Sequence, residues 1–302
     1  MSFSADNAVD LDAAAGCSAV QTEQLKAVIS HIDTIPTLST VVAEVTEAIR
    51  DPQVDASRVG QIISRDQALS AKTLQLVNSA FYGFPRKINN ITRAIIVMGF
   101  NKVRNLALTA SVLDGFKSRD RDFDYSGLWR HSLGTAIAAE VLARNLKSSE
   151  TEDAFVTGLL HDIGKLVMAL HAKEAFARIR DHVKKNDVLM LNAEMELCEI
   201  DHGLVGAWLA DEWKFPPKLT HAIRLHHNPD AAREYQEIIY ITHVSDILCR
   251  ALGIGNGGDK RIPQMSKTAW TALRLDDSII DNCMGQIFEG LDKAKDFLEL
   301  LN

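Results

Sequence analysis

Along most of this chain the apolar residues recur at intervals of three and four, and no segment alternates apolar and polar residues over the length of a strand. That spacing lines one face of a helix, so a core can form only by packing helix on helix. Leu38, Val41, Val42, Val45 and Ile49 make the first stripe, and Ile62, Ile63, Leu69, Leu74, Leu76 and Val77 continue it. Residues 92–113 form a longer apolar stretch interrupted at Gly99. Ile35-Pro36 breaks the pattern ahead of the first stripe, Asp51-Pro52 ends a helix, and Asp55-Ala56-Ser57 offers the cap of the next. Further helices are expected over 128–146, 152–170, 176–186, 192–211, 216–226, 235–252 and 276–301, with a flexible loop at 253–259, which holds four glycines. The fold class is therefore all-α. Residues 1–21 read as a disordered leader, 22–125 as an N-terminal helical part, 126–252 as a second helical core, and 253–302 as a loop and C-terminal helices. The polar stretch 115–127 marks the boundary between the two halves.

With 46% apolar and 24% charged residues, the composition is that of an ordinary globular protein. No apolar run reaches membrane-spanning length and no signal peptide opens the chain, so no membrane partner and a cytoplasmic location are expected. The cysteines (Cys17, Cys198, Cys249, Cys283) are scattered without a Cys-x-x-Cys pair, which points to reduced, buried thiols. A net charge of −7 argues against a basic nucleic-acid binder, and no nucleic-acid motif is present. One segment departs from that average. Between Asp66 and Asp114 no acidic residue occurs, while Lys72, Arg86, Lys87, Arg93, Lys102 and Arg104 do. Arg86, Lys87, Arg93, Lys102 and Arg104 are either solvated helix faces or a patch for an anionic partner.

The chemistry concentrates at Leu159-Leu160-His161-Asp162-Ile163-Gly164-Lys165. An adjacent His-Asp pair can offer an imidazole nitrogen and a carboxylate oxygen to one divalent metal. His131, His202, His226, His227 and Asp246 are further ligand candidates elsewhere in the chain. The alternative for His161 and Asp162 is a buried hydrogen-bonded network, and for His226-His227 a helix end ahead of Pro229. His31, His171, His182 and His221 read as satisfied or surface histidines. His243 stands three residues before Asp246 on one helix face, where it could orient that carboxylate. Trp129, Trp208 and Trp213 read as core, and Asn78-Ser79 as a helix end whose polar groups cap backbone.

Several ordered motifs together resemble the HDOD (HD-related output) domain. In the first half these are Ile35-Pro36-Thr37-Leu38, residues 63–72 (ISRDQALSAK), residues 78–83 (NSAFYG) and residues 94–99. In the second half they are His131-Ser132, residues 158–165, residues 201–207 (DHGLVGA), Trp213-Lys214-Phe215-Pro216 and His226-His227-Asn228-Pro229. The resemblance covers roughly residues 22–250. It implies a bacterial all-α signalling output module, HD-like over 126–252 and distantly related to metal-dependent phosphohydrolases. By the resemblance, Asp162 would bridge two metals. His131, His161 and Asp246 would complete one, His202, His226 and His227 would serve the second, and Lys165 would sit near a substrate phosphate beside Asp162 as catalytic groups. The Gly-Tyr-Pro signature of cyclic-di-GMP-hydrolysing relatives is replaced by Asn228-Pro229-Asp230, which argues against that substrate. Three functions follow: an output or adaptor protein with a protein partner in a signalling pathway, a phosphohydrolase acting on a nucleotide or other phosphoester, or, on charge alone, direct sensing of a nucleotide second messenger by the basic segment 72–104 without hydrolysis. With no receiver or sensor module among its residues, an adaptor would take its signal from another polypeptide. Mixed nitrogen and oxygen ligation favours iron, manganese or zinc over magnesium.

Overall fold

The computed structural model describes residues 40–116 and 123–294, and every regular element among them is helical. The leader expected over 1–21, His31 and Cys17 lie outside the described residues. The first bundle comprises α1 (Thr40–Ala48), α2 (Ala56–Ser64), α3 (Gln67–Val77), α4 (Ile91–Met98) and α5 (Phe100–Gly115). Side chains fix their starts. Asp55, Asp66 and Asn90 accept hydrogen bonds from the backbone N–H groups of Arg58, Leu69 and Arg93, donors that have no partner inside the helix. Gly99 forms the corner between α4 and α5. At the end of α3, the Asn78 amide donates to the carbonyls of Leu74 and Ile88 and accepts from Ile88 N–H, while the Ser79 hydroxyl donates to Leu76. The Asn-Ser pair thus stitches the turn to α3, the capping role its sequence suggests.

The second half holds α6 (Tyr125–Asn145), α7 (Thr151–Leu160), α8 (Ile163–His171), α9 (Lys173–Asn186), α10 (Met190–Cys198), α11 (His202–Glu212), α12 (Pro217–Leu225) and α13 (Gln236–Ala251). α14 (Lys267–Ala272) and α15 (Asp277–Lys293) follow. α6 lies against α7, α13 covers both, and α15 packs on α6. The two halves meet where α5 packs on α7. There Arg104 donates to Asp153 (2.9 Å), Asn105 donates to the same carboxylate (3.1 Å), and Lys218 lies 2.8 Å from its other oxygen. Trp129, Trp208 and Trp213 are all buried in the core, and Cys198, Cys249 and Cys283 are buried free thiols.

Three expectations are corrected. The helix expected over 152–170 divides into α7 and α8 at His161-Asp162. Residues 154–169 are buried without interruption, so the apolar pattern runs on through the junction and carries no polar mark of it. The helix expected over 192–211 divides at Glu199, which takes a left-handed conformation (φ +56°) and closes α10 with its N–H on the Met195 carbonyl. The 253–259 loop is a packed wall and not a free connection. Its Gly255 lies against the backbone of His131, and its Gly257 carbonyl accepts from Lys165. α14 has no counterpart in the expected elements.

Candidate metal centre

Six helices bring the ligand candidates together. His131 lies on α6, His161-Asp162 fills the junction between α7 and α8, His202 opens α11, His226-His227 follows α12, and Asp246 lies on α13. The closeness depends on glycine. A methyl group at Gly164 would collide with the His202 carbonyl oxygen and come within 2.7 Å of Gly206 N, so α8 and α11 approach at a distance only glycine permits. That crossing sets Asp162 against His202.

Asp162 faces two ways. Its Oδ2 lies 3.3 Å from His161 Nε2 and 3.7 Å from His131 Nε2, while its Oδ1 lies 3.2 Å from His202 Nε2 and 3.8 Å from His226 Nε2. His227 Nε2 is 3.0 Å from His202 Nε2. Two groups of ligand atoms result, each within 4.8 Å: His131, His161 and Asp162, and Asp162, His202, His226 and His227. Asp246 stands beside the first group, with Oδ1 3.0 Å from His131 Nε2 and 3.8 Å from His161 Nε2. All these side chains are buried except that of His227, which keeps 10% exposure and forms the outer edge.

Neighbouring groups aim the rings. His161 Nδ1 bonds the Gly158 carbonyl (2.7 Å), His226 Nδ1 the Ile223 carbonyl (2.8 Å), and His202 Nδ1 the Glu194 carboxylate (2.7 Å). Each Nδ1–H donates outward, which turns Nε2 toward the centre and, at His161 and His226, leaves its lone pair there. Among the buried atoms without a hydrogen-bond partner are His161 Nε2, both nitrogens of His131 and Asp162 Oδ1. His161 Nε2 and Asp162 Oδ1, buried and without a hydrogen-bond partner, suit a divalent cation, so the donor set fits the metal pair that the motifs imply. Glu194, fully buried, also accepts the His202 backbone N–H (3.0 Å). Sequence reading missed it, because nothing in its position eight residues before His202 distinguishes it from a surface acid.

The ionisation states agree with ligation. Burial alone would raise the Asp162 carboxyl, but the adjoining His161 ring and the Lys165 ammonium outweigh it and hold the group well below the usual range. Burial likewise opposes ionisation of Asp246, and the Arg250 guanidinium overcomes it. Burial and adjacent imidazoles keep His226 and His227 well below the ordinary histidine value, and burial lowers His131. His202 is the exception: burial pulls it down, but Glu194 and Asp162 push it up to about 9.

Two cations connect the carboxylates to the glycine loop. Lys165, fully buried, donates to Asp162 Oδ2 (2.7 Å) and to the Gly257 carbonyl (2.7 Å). Arg250 donates to Asp246 Oδ1 (3.1 Å) and to Asp259 Oδ1 (3.0 Å). His243 does not touch Asp246, contrary to expectation. Its Nε2 accepts from Ser266 N–H (3.0 Å), so its Nδ1–H donates to the His226 carbonyl (2.7 Å) and fixes the backbone of the double histidine. Of the other histidines, His182 lies 3.3 Å from Glu196, and His221, half-buried, bonds the Pro217 carbonyl. The basic segment divides. Lys102 and Arg104 are taken up by Glu140 and Asp153, whereas Arg86, Lys87 and Arg93 are exposed. No described helix is long and apolar enough to cross a membrane.

The family model of the HDOD domain matches residues 35–229. An uncharacterized protein of Treponema pallidum (strain Nichols) is 30% identical over 235 residues, which cover 77% of this chain and 45% of that protein. The chain thus spans less than half the length of the curated relatives it matches. Among solved structures, an HDOD domain protein of unknown function from Geobacter sulfurreducens superposes with a TM-score of 0.79 at 25% identity, covering 92% of this chain and 98% of that one. A candidate signal transduction protein of Marinobacter aquaeolei VT8 shares the fold, with a TM-score of 0.76 at 20% identity over 97% of this chain and 67% of that one. The helical architecture and the ordered motifs in both halves agree with the family match: the chain belongs to the HDOD domain family.

Proposed function

We propose that this chain is a signalling output or adaptor module of the HDOD type whose core is held by a binuclear divalent-metal centre. The observation that carries this reading is the placement of Asp162, one oxygen toward His131 and His161 and the other toward His202 and His226. His131, His161, Asp162 and Asp246 would hold one ion, and Asp162, His202, His226 and His227 the other, with iron, manganese or zinc preferred by the nitrogen-rich donors. The surrounding contacts favour a structural or regulatory metal over a catalytic one. Lys165 spends its ammonium on Asp162 and the Gly257 carbonyl, and the ligand side chains are almost wholly covered by protein. The exposed cations Arg86, Lys87 and Arg93 are the surface we assign to an acidic protein partner.

A second reading, phosphohydrolysis of a nucleotide or other phosphoester, draws on the completeness of the ligand set and on the exposed edge at His227. Paired metals would supply an acidified water and hold phosphoryl oxygens, with Asp162 bridging and Lys165 able to turn toward a phosphate. The two readings separate by elemental analysis of untagged protein together with a phosphoester screen. Wild type is expected to carry near two equivalents of metal and Asp162→Ala far less, with no turnover in either. Absence of stoichiometric metal from wild type overturns the centre. Turnover that disappears in Asp162→Ala replaces the adaptor reading with the hydrolase.

A further inference from the structure

We propose that the cavity between α5, α6 and α15 is a binding site for a nucleoside monophosphate, separate from the metal centre and independent of its occupancy. The cavity measures about 250 Å³. Lys102 of α5, Arg144 of α6 and Lys293 of α15 line it, together with Phe81 and Tyr82 from the turn after α3. Glu140 of α6 also lines it and is 3% exposed. Its Oε1 accepts from Lys102 Nζ (3.2 Å) and from Arg144 (2.9 Å). Its Oε2 is buried and has no donor at all.

This arrangement specifies a ligand with two ends. A buried carboxylate oxygen without a donor is unfavourable, and an N–H group from a ligand would satisfy it. Glu140 and the exposed Glu289 leave the three cations with one unbalanced positive charge, which suits an anion. The Arg144 side chain is 60% exposed and Lys293 is exposed, so these two heads can meet a phosphate while Lys102 stays on Glu140. Phe81 and Tyr82 add aromatic surface to the lining, with Lys102 Nζ 5.2 Å from the Tyr82 ring centroid. The Tyr82 phenol, pushed above its usual range by burial and by Glu140, stays neutral and can donate a hydrogen bond. Inorganic phosphate would answer only the cations. A nucleobase with ring N–H donors, joined to a phosphate, answers both ends. Glu140 stands nine residues beyond His131 on α6, roughly 13 Å along the helix, so the two sites are separate.

The test is calorimetric titration of the full chain with GMP, ribose 5-phosphate and inorganic phosphate. GMP is expected to bind one to one and at least tenfold more tightly than either of the others. Lys293→Glu alters an exposed side chain and should weaken GMP at least tenfold with an unchanged melting temperature, while Arg144→Glu, which also sets a like charge beside the buried Glu140, should weaken GMP at least tenfold and lower the melting temperature. His227→Ala, at the edge of the metal centre, should leave GMP affinity intact. Saturable GMP binding absent from wild type overturns the site, as does equal affinity for ribose 5-phosphate or phosphate. GMP binding that survives Arg144→Glu but falls in His227→Ala would assign the nucleotide to the metal centre instead and equally overturn the proposal. Metal content is measured on the same samples, so failure of this site and failure of the centre read out separately.

Discussion

Asp162 and Lys165 form an ion pair with 1% and 0% side-chain exposure, and that burial decides how substitutions there behave. Removing only the carboxylate leaves an ammonium buried without its counter-ion. Asp162→Ala should therefore cost about 3–5 kcal/mol in urea unfolding, and the double variant Asp162→Ala/Lys165→Met should recover the part due to the stranded ammonium while still failing to retain metal. Equal stabilities of the single and double variants would show that Lys165 finds another partner. Glu194 tests the aiming of a ligand ring. Glu194→Gln keeps one acceptor but loses the charge that holds His202, and metal affinity by competition with a chelator should fall about 10–100-fold. No sequence pattern linked Glu194 to His202; the turn through Glu199 brings them into contact.

At the scale of elements, two crossings position the centre. The first is α8 on α11, where Gly164 meets the His202 carbonyl. Gly164→Ala overpacks that contact and should cost about 1–3 kcal/mol or more, with thermal unfolding as the measure. Metal content should fall toward one equivalent, because His202 moves away from Asp162 while His131 and His161 stay. The second is α5 on α7, clamped by Asp153 against Arg104, Asn105 and Lys218. Burial opposes ionisation of Asp153, but these donors win and lower its carboxyl below the ordinary value. A group depressed in this way stabilises the folded state above its unfolded pKa, and that contribution is lost as pH falls through the folded value. Asp153→Asn should thus be about 1–3 kcal/mol less stable than wild type at neutral pH, and the difference should close below about pH 4 in denaturant titrations at stepped pH.

Across the whole molecule, the C-terminal third closes the centre that the middle third begins. Gly255, at φ +69°, lies so near His131 that an added methyl would strike the His131 backbone nitrogen. Gly255→Ala should lift the loop from α6, lowering the melting temperature and speeding hydrogen exchange across 253–259, where an unaltered exchange pattern would deny the loop this role. The helical class and the capping of α2 by Asp55 were legible because both are local: period and cap lie within a few residues of one another. The seven candidate ligands were also legible as residue types, since His-Asp and His-His pairs stand out against an apolar background. What the chain alone left open is their convergence. Separations of 30 residues from His131 to His161 and 24 from His202 to His226 are compatible with many packings. The junction at His161-Asp162, the reach of Glu194 and Arg250, and the loop laid over Lys165 depend on contacts between distant segments. Only the packed helices decide these, because burial removes the polar marks by which a break or a ligand-holding residue would show in sequence.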